Sequence, residues 1–262
     1  MEYTVLPIFK QCVLAIRANL LIEQVSRKDK EFHFQNWFED RLKEINFHYQ
    51  ISGRNTYPDF SIVEVAEGYE LKGLAYPGRE ASFDSNSQIP TGFHNGRNVY
   101  YVFGRYPKEP DGNEYPLLDL VLCHGDFLNA EHDYEHKNKS IRGFGSYGDI
   151  LIRDRKMYVV PTPFQIAEGL AHHQTLILPA DVEPGSDFSE VGELVRVEAT
   201  ELIVGYSFDL QSNAILPQKM PNPLSQTKHT FRAWRLNGSP TTLVTMRDSQ
   251  LIIDAADDET NE

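Results

Sequence analysis

Tyr57-Pro58-Asp59-Phe60-Ser61-Ile62-Val63-Glu64-Val65-Ala66-Glu67-Gly68-Tyr69-Glu70-Leu71-Lys72-Gly73 reads as two extended segments separated by a break at Glu67-Gly68. Phe60, Ile62, Val63 and Val65 supply the β-prone side chains of the first, and Tyr69 to Lys72 resume the extended pattern before Gly73. Successive side chains of a strand point to opposite faces, so Glu70 and Lys72 share one face and Tyr69 and Leu71 the other. A hairpin of the two segments carries Asp59 back beside Glu70. Two carboxylates meeting at the end of a strand pair suit a hard divalent cation such as Mg²⁺, which takes oxygen ligands and keeps waters that a phosphate can share or displace. The neighbouring Lys72 ammonium can orient or help deprotonate an attacking water.

Working outward toward the N-terminus, Leu6, Phe9, Val13, Ile16, Leu20 and Leu21 recur at three- and four-residue steps, which predicts a helix over 5–26 with Pro7 in its first turn. A second helix starts near Asp29 or Lys30, with Phe34, Trp37, Phe38, Leu42 and Ile45 on its apolar side and Glu39 on its polar side. Toward the C-terminus, 75–98 is rich in Gly, Pro, Ser and Asn and reads as a long loop, uncommon in a compact domain unless it binds something. The apolar runs at 98–104 and 117–123 suit central strands buried on both faces. Further strands are predicted near 149–160, 175–178, 191–208 and 229–236, with a short helix at 163–171 and a connector from Pro217 to Pro223. No internal repeat is visible. Periodicity leaves open whether the later strands extend one sheet or form a small β-rich subdomain.

Pro58-Asp59 followed by Glu70-Leu71-Lys72 resembles the signature of the PD-(D/E)xK nuclease superfamily, a Pro-Asp and then an acidic residue two positions before a lysine on the next strand. The resemblance covers residues 34 to about 124. It implies an α/β fold with a restriction-endonuclease-like core, a mixed central β-sheet flanked by helices, with additional C-terminal strands. It implies Asp59 and Glu70 as Mg²⁺ ligands and Lys72 as the catalytic lysine. Phe38-Glu39-Asp40-Arg41-Leu42 occupies the place of a helical glutamate found in many members, making Glu39 an auxiliary ligand. In size and layout the chain is most similar to type II restriction endonucleases: a single domain over 1–253, with N-terminal helices 5–46, a core of about 47–180 and a β-rich part of about 181–253. The activity implied by the resemblance is Mg²⁺-dependent, site-specific hydrolysis of double-stranded DNA to 5′-phosphates by a homodimer. A structure-specific or repair nuclease, and a non-catalytic DNA-binding protein on a degenerate nuclease fold, are the alternatives.

Two polar segments carry the side-chain types that meet nucleic acid. In the first, Arg79, Ser85, Asn86, Ser87, Gln88, His94, Asn95 and Arg97 are the expected DNA contacts; in the second, Lys137, Lys139 and Arg142 are expected on phosphates. Solvated loops have the same composition, so both segments also read as ordinary surface. Cys123-His124-Gly125-Asp126 with His132 and His136 raises a zinc site, and His124 with Asp126 and a distant histidine raises an iron oxygenase, but neither set has confirming spacing.

Composition bounds these readings. At 262 residues with 40% hydrophobic content the chain can bury a substantial core. Cys12 and Cys123 stand far apart, outside any CxxC pattern, which suggests neither a disulfide framework nor a thiolate zinc site. The apolar N-terminus lacks a basic leader and is interrupted by Lys10 and Arg17, so neither a signal peptide nor a membrane span is expected, and a cytoplasmic protein is. A net charge of −13 argues against a protein that coats nucleic acid by global attraction. Five of those charges sit in 254–262, an acidic tail expected to be disordered, which leaves about −8 for the rest. A DNA-binding reading therefore requires a localised basic cleft, with a bound cation reversing the sign around the carboxylates.

Overall fold

The computed structural model describes residues 3–25, 31–51, 57–77, 83–84, 89–131, 146–147, 150–153, 156–159, 173–212 and 214–246. The first apolar repeat forms α1 (Val5–Arg17), burying Val5, Ile8, Phe9, Cys12 and Val13. It stops well short of residue 26. Asn19 adopts φ 56°, Asn19 N–H donates to the Ile16 carbonyl, and Leu20 N–H to that of Ala15, a left-handed cap that turns the chain out of the helix. Leu20 and Leu21 thus lie beyond it, followed by β1 (Ile22–Glu23). Helix α2 (Glu31–Glu44) ends the same way, with Asn46 at φ 57° and Phe47 N–H donating to the Leu42 carbonyl.

The remaining strands, in chain order, are β2 (Tyr49–Ile51), β3 (Phe60–Ile62), β4 (Glu67–Tyr76), β5 (Phe83–Asp84), β6 (Phe93–His94), β7 (Arg97–Pro107), β8 (Glu114–Tyr115) and β9 (Asp119–His124). A short 3-10 turn, Gly125–Phe127, precedes β10 (Ile150–Arg153), β11 (Lys156–Val159), β12 (Gln174–Pro179), β13 (Phe188–Val197), β14 (Glu201–Asp209), β15 (Ala214–Pro221) and β16 (Lys228–Leu236). The central sheet is mixed and runs β2-β3-β4-β7-β9-β12-β16-β13, with β6 beside β7. Its parallel pairs are β4 with β7 and β9 with β12. The two apolar runs are its middle strands, and all six residues of β9 are buried.

Further elements depart from the sequence expectation, and the expected loop 75–98 contains the end of β4, β5, β6 and the start of β7. Glu67-Gly68 is the start of β4 rather than a break, and Gly68 is there because a Cβ would lie 2.5 Å from the Pro58 ring. The run 191–208 is two strands, and the expected connector from Pro217 is mostly β15, which pairs with β14 as a separate two-stranded ribbon. Pro217 and Pro221 are tolerated because a two-stranded ribbon leaves one edge of each strand without a ladder partner. The other late strands, β12, β13 and β16, extend the central sheet. The predicted helix at 163–171 and the tail 254–262 lie outside the described residues.

Both described helices pack on one face of the sheet. Phe38 of α2 meets Phe60 and Tyr69 with ring centroids 5.7 and 5.8 Å apart, and α1 adds Ile8, Phe9 and Val13 to the same core. Gly73 and Gly104 are register partners on β4 and β7, and together they form a notch for Phe34: a Cβ at Gly104 would fall 2.3 Å from that ring. The opposite face carries a second core built on Tyr101, Phe103, Val121, Cys123, Ile177 and Phe231, roofed by Phe83, Ile89, Phe127 and Val244. The architecture is α/β with a large mixed sheet and two described helices, neither of which is long and apolar enough to cross a membrane.

Candidate active site

Strands β3 and β4 pair antiparallel with Phe60 opposite Tyr69. One step further along that register sets Asp59 opposite Glu70. The ladder stops there, and the Asp59 side chain takes its place: Oδ2 accepts from Leu71 N–H at 2.8 Å. Glu70 and Lys72 lie on the face away from the helices, because Tyr69, Leu71 and Gly73 face α2. Lys72 Nζ donates to Glu70 Oε1 at 2.8 Å, and the two side chains are 17% and 14% exposed. Local alternation and one cross-strand pair thus bring Asp59, Glu70 and Lys72 together on one half-buried surface.

The register of β4 with β7 puts Tyr101 beside Glu70. Its hydroxyl lies 3.1 Å from that of Tyr57, so two phenols meet beside the carboxylates. Burial pushes the Tyr57 phenol well up; the Tyr101 hydrogen bond opposes this, and the charges of Glu70 and Asp59 push the same way as burial. Tyr101 is raised chiefly by burial, with Tyr57 and Glu70 adding to it. Both therefore stay neutral. The Tyr57 ring in turn carries His94 edge-on, with centroids 5.0 Å apart and planes at 78°. His94 is presented by a tight β6–β7 hairpin, whose Asn95 and Gly96 take φ 49° and 79° as a two-residue turn of this hand requires. Asn95 Nδ2 lies 3.0 Å from His94 Nε2.

Glu39 is elsewhere. It stands on α2, on the opposite side of the sheet, where its Oε1 accepts from the Tyr49 hydroxyl at 2.6 Å and lies 3.0 Å from Lys43 Nζ. Burial raises its pKa, but the bonds from Tyr49 and Lys43 outweigh that and leave it below the ordinary value. The resemblance put Glu39 among the ligands, and strand alternation removes it, because the face that α2 covers is the one Glu70 does not occupy. Arg97 is also committed: its Nη1 donates to the Ile62 and Val65 carbonyls at 2.8 and 3.1 Å, closing the turn between β3 and β4 instead of reaching outward. Of the remaining expected DNA contacts, His94 lies against the Tyr57 ring and Asn95 against His94. Arg79, Ser85, Asn86, Ser87, Gln88, Lys137, Lys139 and Arg142 lie outside the described residues, as do His132 and His136.

Of the residues named for the zinc and iron readings, Cys123, His124 and Asp126 are among the described residues. Cys123 and His124 are consecutive on β9 and face opposite sides, and burial pushes the Cys123 thiol well up, away from the thiolate a metal needs. Burial lowers His124, against the pull of Asp126, whose Oδ1 accepts from Gly92 N–H at 3.1 Å. Among the described residues no group of three or more His, Cys, Asp or Glu is placed to hold a metal. A cation at Asp59 and Glu70 would thus have two protein ligands. Tyr57 and Tyr101 escaped the sequence reading. The available signal was Tyr57 standing next to Pro58-Asp59, but its partner lies 44 residues away. Comparison of the chain with protein-family models, characterised proteins and solved structures finds no match.

Proposed function

We propose that this chain is a Mg²⁺-dependent nuclease that hydrolyses phosphodiester bonds of double-stranded DNA, cutting at specific sites as a homodimer. The observation that carries the reading is the Asp59 carboxylate held on the Leu71 N–H, next to a Glu70 that is ion-paired with Lys72. Two half-buried carboxylates fit a hard cation that completes its shell with water and phosphate oxygens. Bound there, such an ion supplies a water of lowered pKa and neutralises the phosphate. Leu71 N–H fixes the Asp59 carboxylate, and Glu70 holds the Lys72 ammonium where it can meet a phosphate oxygen. Tyr57 and Tyr101 meet through their hydroxyls beside Glu70 and remain neutral there.

The test is nicking of supercoiled plasmid with Mg²⁺ or Ca²⁺ by wild type, Asp59→Asn and Lys72→Met. Asparagine keeps an oxygen acceptor for Leu71 N–H while removing the charge. Loss of about 10³-fold in each variant is expected, equivalent to about 4 kcal/mol of transition-state stabilisation. Cleavage at wild-type rate by both would remove this surface from the chemistry. Discrete fragments favour site-specific cutting, a ladder or junction preference favours a structure-specific enzyme, and binding without hydrolysis under any divalent metal favours a DNA-binding protein.

A further inference from the structure

On the helix side of the sheet, away from Asp59, we infer that a groove along α2 takes an extended, basic peptide segment of a partner protein. The groove has a volume of about 790 Å³ and is lined by α2 and by the segment 19–25. Its lining follows α2 from His33 to Glu44, which is about 16 Å of helix. An extended chain covers that length in about five residues. Leu20 and Val25 line the groove and are exposed, so an aliphatic side chain of the peptide has apolar surface to cover.

Two features of the polar lining are left unbalanced. Arg41 lines the groove and is only 5% exposed, with its guanidinium carbon 4.9 Å from the centre of the Trp37 ring. Its Nε and Nη2 grip Glu44 at 2.8 and 2.6 Å, and Nη1, on the other edge of the fork, has no hydrogen-bond partner. A buried donor in that state costs stability until an acceptor reaches it. The second feature is Glu23 with Glu114, exposed register partners across β1 and β8 that both line the groove, while Ile22 and Tyr115 on the other face are buried. Like charges directly opposite each other destabilise a strand pair, and neither carboxylate has an ion-pair partner among the described residues. Glu39 and Asp40, by contrast, are balanced by Lys43. A ligand that answers both features carries a carbonyl oxygen for Arg41 and a cation for the two glutamates. Phosphate and nucleic acid meet the first need and are repelled by the second; a polyamine meets the second and offers Arg41 no acceptor. A peptide with Lys or Arg side chains supplies both, with a backbone carbonyl at every residue.

The test is isothermal titration of the full chain with acetyl-Leu-Lys-Leu-Lys-Leu-amide at physiological salt, where long-range attraction is screened. Wild type should bind this peptide, and should bind about tenfold more weakly both its glutamate counterpart, which has the same carbonyls, and spermidine, which has the charge without them. Glu23→Gln with Glu114→Gln should weaken the lysine peptide about tenfold, what two rim ion pairs are worth together, and leave the melting temperature unchanged or higher. Removing two charges elsewhere, by Glu193→Gln with Glu201→Gln, should leave binding within about twofold of wild type. Arg41→Met should also weaken the peptide about tenfold, with circular dichroism reporting its fold; should that variant not fold, the exposed glutamate pair and the spermidine comparison decide. Three results would each overturn the inference: no binding by wild type, spermidine as tight as the peptide, or equal losses in the two double variants, the sign of diffuse attraction to a chain of net charge −13. None of them bears on Asp59 and Glu70.

Discussion

The two faces of the central sheet are made by the same strands and each buries an apolar core, but one also carries the partly exposed Glu70–Lys72 pair. On the helix side, Tyr69, Leu71, Tyr100, Val102, Leu120 and Leu122 form one continuous apolar layer under α1 and α2. On the other side the same strands present Glu70, Lys72, Tyr101, Arg105 and Asp119, and Asp59 joins them from the start of β3. Even the acidic residue of the helix face is consumed: the buried Glu67 carboxylate accepts from the backbone and hydroxyl of Thr4 and from the Tyr69 hydroxyl, capping the start of α1. A carboxylate enclosed by donors from its own chain serves the fold. Glu70, partly exposed and ion-paired with Lys72, is the carboxylate that the proposed function puts to use. Neither charge nor face alone marks the site, since Asp119 is fully buried against Arg105 on the same side as Glu70; what sets Glu70 apart is that it remains partly exposed.

If the faces are separable, stability and chemistry can be damaged independently. The largest expected effect is on stability: Phe38→Ala removes a fully buried ring that touches Phe60 and Tyr69, and should cost about 3–5 kcal/mol in urea melts. Cleavage per folded molecule, measured well below the melt, should change little; a collapse of activity in step with stability would show that the helix face sets the site's geometry.

A smaller effect, read as a slope, comes from Glu67. Burial raises its pKa, against the hydrogen bonds from Thr4 and Tyr69. A carboxyl raised in the folded state contributes stability that is present below its unfolded value of about 4.3 and is lost as pH rises through the folded value. Glu67→Gln should therefore gain on wild type as pH is raised from about 4 to neutrality, followed by thermal melts across that range. A stability difference independent of pH would mean that Glu67 titrates alike folded and unfolded. The smallest expected effect is that of Glu39→Ala on plasmid cleavage, within about twofold of wild type, because α2 holds this side chain on the face away from Glu70. A loss as large as that of Asp59→Asn would break the separation of the two faces outright.

Several parts of this molecule were legible without coordinates. The central strands β7 and β9 follow from unbroken apolar runs, α2 from its Phe34–Trp37–Phe38–Leu42 stripe, and the shared face of Glu70 and Lys72 from the two-residue period of a strand. These are local properties, fixed by backbone geometry and side-chain type over a few neighbours. The end of α1 was legible in principle, since Asn19 can take the left-handed turn, yet the apolar residues beyond it mimic helical spacing. The strand β15 was hidden by its prolines, which only an unpaired edge permits.

Asp59 facing Glu70, the Tyr57 hydroxyl on Tyr101, His94 on Tyr57 and the exclusion of Glu39 were decided by the tertiary structure. Each depends on which strands lie side by side and on which face a helix settles. That choice is made by the burial of two whole apolar layers and by notches such as Gly73 with Gly104. Alternation tells a strand's side chains apart into two sets; only packing determines which set meets the helices and which is left to form a site.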